Sequence, residues 1–108
     1  MLWRIFKTIK SSSVATVYKY TKPLNDNIQY DLPEGARILR IDVQKEQGSN
    51  TDICLWALVN PQTKTFTSRF IRIAGTGHPI QTDDWLGYIN TFTMADKALW
   101  FHAFEIIQ

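Results

Sequence analysis

The chain has 108 residues, of which 44% are hydrophobic and 20% charged, a composition typical of one soluble globular domain and not of a disordered or collagen-like chain. Its single cysteine excludes a disulfide framework and a thiolate metal cluster, and no apolar run approaches the ~20 residues of a membrane-spanning helix. The net charge is +2, but the first 22 residues carry five basic and no acidic side chains. A basic end of this kind attracts an anionic partner or keeps an exposed edge soluble.

The first 12 residues are predicted to form a basic amphipathic extension before a single β domain over residues 13–108. Four apolar residues recur there at helical spacing: Leu2, Ile5, Phe6 and Ile9. The alternation of Trp3, Ile5 and Ile9 also suits a strand, so both structures stay open. Charged residues interrupt the apolar run too early for a secretory signal, which predicts a cytoplasmic protein.

Seven short β-strands are predicted after this extension, separated by turn residues and polar loops. They cover residues 14–20, 28–32, 37–45, 53–59, 65–74, 86–92 and 98–106. In 37–45, alternation predicts that Leu39, Ile41 and Val43 face the core, whereas the continuously apolar run 53–59 is typical of a central strand covered on both faces.

Short connections between successive strands favour antiparallel meanders. The predicted fold is therefore mainly β, a small antiparallel β-sandwich or partly open barrel of six to seven strands, with a short N-terminal helix as an option. Without βαβ alternation, a parallel dinucleotide-binding sheet is excluded.

The strongest candidate for a ligand site is the end of the fifth strand and the loop that follows it. Two glycines there allow close backbone approach, and arginine, threonine and histidine side chains supply hydrogen-bond donors for an anion. The predicted ligand-binding residues are Arg69, Arg72, Gly75, Thr76, Gly77 and His78. The segment lacks the Lys-Ser/Thr of a Walker loop and the third glycine of a Rossmann motif. The alternative is a glycine-rich turn in which His78 caps backbone carbonyls.

No catalytic residue, metal site or cofactor is predicted. The two histidines, His78 and His102, are the only general bases suited to neutral pH, and their spacing matches no metal-ligand pattern. His102 is predicted to be a hydrogen-bonded core or edge residue. Cys54, within an apolar run, is predicted to be a small buried hydrophobe, and Trp56 and Trp100 are predicted to lie in the core.

Several short motifs recur in order along the chain and carry a resemblance. They are Tyr18-Lys19-Tyr20, Leu32-Pro33-Glu34-Gly35-Ala36, Leu55-Trp56-Ala57-Leu58-Val59-Asn60-Pro61, Phe70-Ile71-Arg72-Ile73-Ala74-Gly75-Thr76-Gly77-His78-Pro79 and Phe101-His102-Ala103-Phe104-Glu105. Over roughly residues 17–106 the chain resembles a family of short uncharacterised proteins encoded by tailed bacteriophages. It departs from that family in its extra residues 1–12, its longer loop 46–52 and an Asn60 where the family has Asp.

The resemblance implies a virus-encoded context and no catalytic activity. The leading hypothesis is a phage-encoded, non-enzymatic binding protein that acts in the host cytoplasm. It would antagonise host defence by sequestering a nucleotide-like anionic ligand at residues 75–78. The alternative is a protein–protein interaction module, an inhibitor of a host protein or a virion component, that uses the N-terminal segment or a sheet edge. Neither hypothesis involves a membrane, and both are compatible with a homo-oligomer.

Overall fold

Seven β-strands form two antiparallel sheets in the computed structural model, which describes residues 14–47 and 50–107. In chain order they are β1 (Thr16–Pro23), β2 (Asn27–Pro33), β3 (Arg37–Lys45), β4 (Asp52–Val59), β5 (Phe66–Gly75), β6 (Trp85–Met94) and β7 (Leu99–Ile107). The three-stranded sheet has the order β1-β4-β3 and the four-stranded sheet the order β2-β5-β7-β6. The predicted small β-sandwich is confirmed. The helix-or-strand alternative for residues 1–12 lies outside the described residues, among which no helix is long and apolar enough to cross a membrane.

The strand order differs from the predicted meander. Only the β3–β4 and β6–β7 pairs join strands that are neighbours both in sequence and in a sheet. The connections β1–β2, β2–β3 and β4–β5 cross from one sheet to the other. A tight turn fixes where the chain reverses, but it does not decide whether the next strand pairs with the previous one or crosses to the opposite layer.

The core lies between the two sheets and is formed by alternate residues of the central strands. On β2, which the sequence predicts as a strand over residues 28–32, the alternating apolar residues Ile28, Tyr30 and Leu32 form one face, and that face is buried. The Tyr30 hydroxyl spans the core and donates a 2.9 Å hydrogen bond to the carbonyl oxygen of Ile53 on β4. Burial raises the pKa of the Tyr30 phenol above its usual value, so this donor keeps its proton.

Two predictions about the core are wrong. A β-bulge lies between Ile38 and Arg40, and it moves Leu39 out of the alternation: Leu39 is 43% exposed, while Ile38 packs against the core. The residues Trp56 and Trp100 lie on outward faces, because each alternates with inward-facing neighbours on its strand; Trp56 is half-buried and Trp100 is 53% exposed. The strand that carries Trp56, β4, is central as predicted, but its outward face is not covered by another layer of the described residues.

One side of the sandwich is closed by a side-chain amide. At a bulge in β6, the Asn90 side chain accepts a 2.7 Å hydrogen bond from the backbone N–H of Ile41. The same side chain donates a 2.8 Å hydrogen bond to the backbone carbonyl oxygen of Ile41. The amide thus takes the place of a neighbouring strand for the edge of β3. It joins the two sheets where β3 and β6 meet.

Replacing Asn90 is therefore expected to weaken the fold. Asn90→Ala leaves a part-buried N–H and C=O of Ile41 without their partner, at a cost of about 1–3 kcal/mol in the free energy of unfolding. Asn90→Asp keeps the acceptor but places a carboxylate against the Ile41 carbonyl oxygen, so it should destabilise as well. Urea unfolding measures both, with exposed Asn25→Ala as the control. Equal midpoints for Asn90→Ala and Asn25→Ala would contradict this role.

Candidate ligand-binding site

The candidate site is built on the turn that follows β5, called here the 75–78 turn. The His78 N–H donates to the Gly75 carbonyl oxygen at 3.0 Å, and Gly77 has a φ of 86°, a conformation that favours glycine. The Thr76 N–H donates to the carbonyl oxygen of Trp100 on β7 at 3.2 Å. The backbone N–H groups of Thr76 and His78 are thus already paired within the protein and are not available to an anion.

The ring of His78 lies over Gly75. A Cβ atom placed on Gly75 would be 3.0 Å from His78 Nδ1, so the glycine leaves the space that the ring occupies. Among the described residues, none forms a hydrogen bond with this ring. The alternative in which His78 caps backbone carbonyls therefore finds no support, and the exposed imidazole is free to bind another molecule.

Substitutions of the two glycines are expected to act differently. Gly75→Ala should displace the His78 ring with little backbone strain. Gly77→Ala meets no neighbouring atom but forces alanine into a positive φ, at about 1–2 kcal/mol. Thermal unfolding should therefore detect Gly77→Ala and barely detect Gly75→Ala, whereas the His78 ring resonances should shift in both. Gly35→Ala, with a φ of 83° at a distant turn, is the matched control for strain alone. Equal stability of all three variants would contradict the strain argument.

The Arg72 side chain lies on the outward face of the four-stranded sheet, where its strand neighbours are Asn27 and Phe104. Its Nη1 donates to Asn27 Oδ1 at 3.2 Å. Its Nε is buried, and no acceptor for it lies within the described part of the chain. Buried donors are nearly always paired, so an unpaired guanidinium nitrogen calls for an explanation.

A cleft of about 410 Å³ lies beside this arginine, and it is called here the Arg72 cleft. Arg72, Gly75 and His78 line it together with residues 24–26, the connection between β1 and β2. The Ile73 N–H, donating to the Asp26 carbonyl oxygen at 2.8 Å, fixes that connection against β5. The lining thus includes an acidic residue, Asp26, as well as Arg72 and His78.

A second cleft, of about 370 Å³, lies on the other side of the turn and is called here the Trp100 cleft. It shares Gly75, His78 and Phe101 with the Arg72 cleft and adds Leu99 and Trp100. Phe101, whose ring is stacked on Phe92 with 5.8 Å between the ring centroids, is thus a lining residue common to both clefts. Together the two clefts offer a cationic donor on one side of the turn and exposed apolar and aromatic surface on the other.

Arg69, the remaining predicted ligand residue, is not brought to the turn. It lies on the opposite face of β5 from Arg72, because the two are three positions apart along a strand and side chains alternate between faces. Its guanidinium Nε and Nη2 donate to the Glu105 carboxylate, the Nη2–Oε1 distance being 2.9 Å, and its Nη1 donates to the Ala36 carbonyl oxygen at 2.9 Å. Arg69 thus joins β5, β7 and the start of β3.

Sequence reasoning missed the contact between the turn and His102. Thr76 Oγ1 is 2.8 Å from His102 Nε2, and His102 Nδ1 is 2.9 Å from Thr91 Oγ1. His102 is hydrogen-bonded, as predicted, but it is half-buried on the outward face of β7, an inner strand of its sheet, and so lies neither in the core nor at an edge. The link to Thr76 depends on the pairing of β5 with β7, and no local pattern specifies that pairing.

Cys54 is fully buried, as predicted, and its thiol lies 3.1 Å from both Thr21 Oγ1 and Gln44 Oε1. Within residues 14–47 and 50–107, no group of three or more His, Cys, Asp or Glu side chains is arranged to hold a metal ion.

One family model matches the chain over residues 13–108, and its description is "Domain of unknown function (DUF7352)". The predicted similarity to an uncharacterised family is confirmed at this level, whereas the description names no phage. No curated protein and no solved structure matches the chain.

Proposed function

Because the chain belongs to the DUF7352 family, whose description assigns no function, we propose a function from the site itself. The protein binds a nucleotide-like anionic small molecule at the 75–78 turn and does not transform it. The observation that carries this proposal is the sparsely paired guanidinium of Arg72, a residue that lines the same cleft as His78: among the described residues only Asn27 accepts a hydrogen bond from it.

Each side of the turn has a role in this proposal. A phosphate oxygen accepts from the guanidinium of Arg72, which has a single acceptor, Asn27, among the described residues. The exposed His78 imidazole supplies a second donor beside it. A planar base packs in the Trp100 cleft against the indole, which supports stacking without hydrogen-bond readout.

The biological setting is part of the same proposal and rests on the resemblance to short phage proteins. A phage-encoded protein that sequesters a nucleotide signal in the host cytoplasm would antagonise host defence by binding alone. Such a protein needs tight, stoichiometric binding and no catalytic group.

The proposal is tested by native mass spectrometry of protein purified gently from its expression host, followed by release of bound molecules with heat. A nucleotide-like mass in the released fraction, together with one ligand mass per site in the native spectrum, is the expected result. If the protein carries no such mass and a panel of mono-, di- and cyclic nucleotides leaves its unfolding temperature unchanged, the proposal is wrong.

A second candidate function is protein–protein interaction, and an exposed sheet edge favours it. In the described part of the chain β1 pairs only with β4, and its Val17 and Tyr18 side chains are 52% and 43% exposed. An unpaired edge with apolar side chains is a template for another strand, including one from a second copy.

Deleting residues 1–12 tests the form of the second candidate in which the N-terminal segment makes the contact. Loss of an oligomer or partner, measured by light scattering, with ligand binding intact supports the interaction module. An unchanged mass in solution together with unchanged binding argues against any role of that segment in assembly.

A further inference from the structure

Four side chains form a continuous hydrogen-bonded chain that ends at the 75–78 turn. Tyr88 OH is 2.8 Å from Thr91 Oγ1, which is 2.9 Å from His102 Nδ1, and His102 Nε2 is 2.8 Å from Thr76 Oγ1. Thr76 Oγ1 also lies 3.5 Å from the Trp100 carbonyl oxygen. All three of the stronger contacts have the length of ordinary hydrogen bonds.

Counting hydrogens links the direction of these bonds to the ligand. The Thr76 hydroxyl has one hydrogen, and a carbonyl or ligand oxygen can only accept, so Thr76 donates to such an oxygen only when Thr76 Oγ1 itself accepts from His102 Nε2–H. In that tautomer of the neutral ring Nδ1 carries no hydrogen, so it accepts from Thr91, and Thr91 in turn accepts from Tyr88. In the opposite tautomer every donor points the other way and the Thr76 hydrogen is held by His102.

We propose that His102 is a positioning residue: clamped between Thr91 and Thr76, it aims the Thr76 hydroxyl hydrogen at an oxygen of the ligand bound on the 75–78 turn, in the Trp100 cleft that Thr76 lines. This inference rests on the proposed function. The bond from Thr76 to the Trp100 carbonyl is at the long limit for a hydrogen bond, so a ligand oxygen replaces it readily. Donors linked in one direction also strengthen one another.

Tyr88 and Thr91, at the far end of this series of hydrogen bonds, can be changed without removing a group proposed to contact the ligand, so the role of His102 is testable there. The Tyr88 ring is held edge-on against Phe104, with 5.8 Å between the ring centroids, so Tyr88→Phe removes the hydroxyl and keeps the packing. Thr91→Val likewise removes the donor to His102 with little change in shape. Thr91→Ser keeps the hydroxyl and should restore wild-type behaviour.

The experiment combines nitrogen NMR of the imidazole with ADP as the binding probe, both at about pH 8.5, where an unperturbed histidine is neutral. The expected result is the Nε2–H tautomer of His102 in the free wild-type protein. Thr91→Val should lose that preference and weaken ADP binding about 3- to 10-fold, the value of one hydrogen bond. Tyr88→Phe should weaken it by a smaller factor, and Thr91→Ser should leave it unchanged. Tyr18→Phe, an exposed tyrosine on the other sheet, is the matched control.

Failure of the positioning role of His102 and failure of the proposed ligand binding give different results. An Nδ1–H tautomer in the free protein overturns the inference whatever the ligand does, as does Thr91→Val binding ADP like the wild type. If the wild type shows the Nε2–H tautomer but binds neither ADP nor any other nucleotide, the proposed function is wrong and the positioning role falls with it. Thermal unfolding of each variant identifies any that loses binding because it fails to fold.

Discussion

Arg72→Ala is expected to weaken binding of the nucleotide-like ligand roughly 10- to 100-fold while leaving the fold intact, because hydrogen bonds to charged groups contribute about 1.5–3 kcal/mol. The guanidinium makes one hydrogen bond within the described residues, to Asn27, and its Nε makes none. Removing the side chain therefore deletes little that holds the protein together. Titration calorimetry with the ligand identified by mass spectrometry measures the loss.

Arg40→Ala is the matched control for Arg72→Ala. Arg40 lies on the three-stranded sheet, pairs with Asp42 at 2.9 Å and has a side chain 54% exposed, so its removal changes the net charge by the same amount far from the turn. Arg72→Lys adds a second comparison, since it keeps the charge and loses the planar fork. Equal affinities of wild type and Arg72→Ala would end the proposal for the Arg72 cleft.

How much of the fold follows from the sequence is shown by β2 and β3. Alternation over Ile28, Tyr30 and Leu32 predicts both the strand and its buried face, because the side-chain period of a strand is two and one face is covered. Alternation over β3 predicts its bounds but not Leu39, because a bulge adds one residue to one strand without any mark in the apolar pattern. The pattern is local, and the bulge depends on the partner strand.

The candidate site shows the same limit. Strand alternation already separates Arg69 from Arg72, and the structure places them on opposite faces of β5. Which of them is free to meet a ligand depends on their partners. Glu105 lies 36 residues from Arg69 in sequence, and Asn27 lies 45 residues from Arg72. These pairings follow from strand order in the four-stranded sheet, which no motif specifies.

The other large expected effect is on stability, at Arg69. Arg69→Ala should lower the free energy of unfolding by about 2–4 kcal/mol, since removing one partner of a buried ion pair strands the other charge. The Arg69 and Glu105 side chains are 22% and 18% exposed, so water offsets part of the full penalty. The Ala36 carbonyl oxygen also loses its donor. At this chain length the melting temperature should fall by roughly 10–20 °C.

Arg69→Lys keeps the charge but makes fewer hydrogen bonds, so it should fall between wild type and alanine and remain folded for measurement. The double variant Arg69→Met/Glu105→Leu should recover most of the lost stability, because apolar side chains of similar volume often replace a buried pair without cost. Folded Arg69→Lys should also bind the ligand like the wild type, in contrast to the Arg72 variants. The opposite result is that Arg69→Lys weakens binding as much as Arg72→Lys and leaves stability unchanged. Arg69 would then act on the ligand, as the sequence predicts, and its ion pair with Glu105 would not fix the position of its side chain in the wild type.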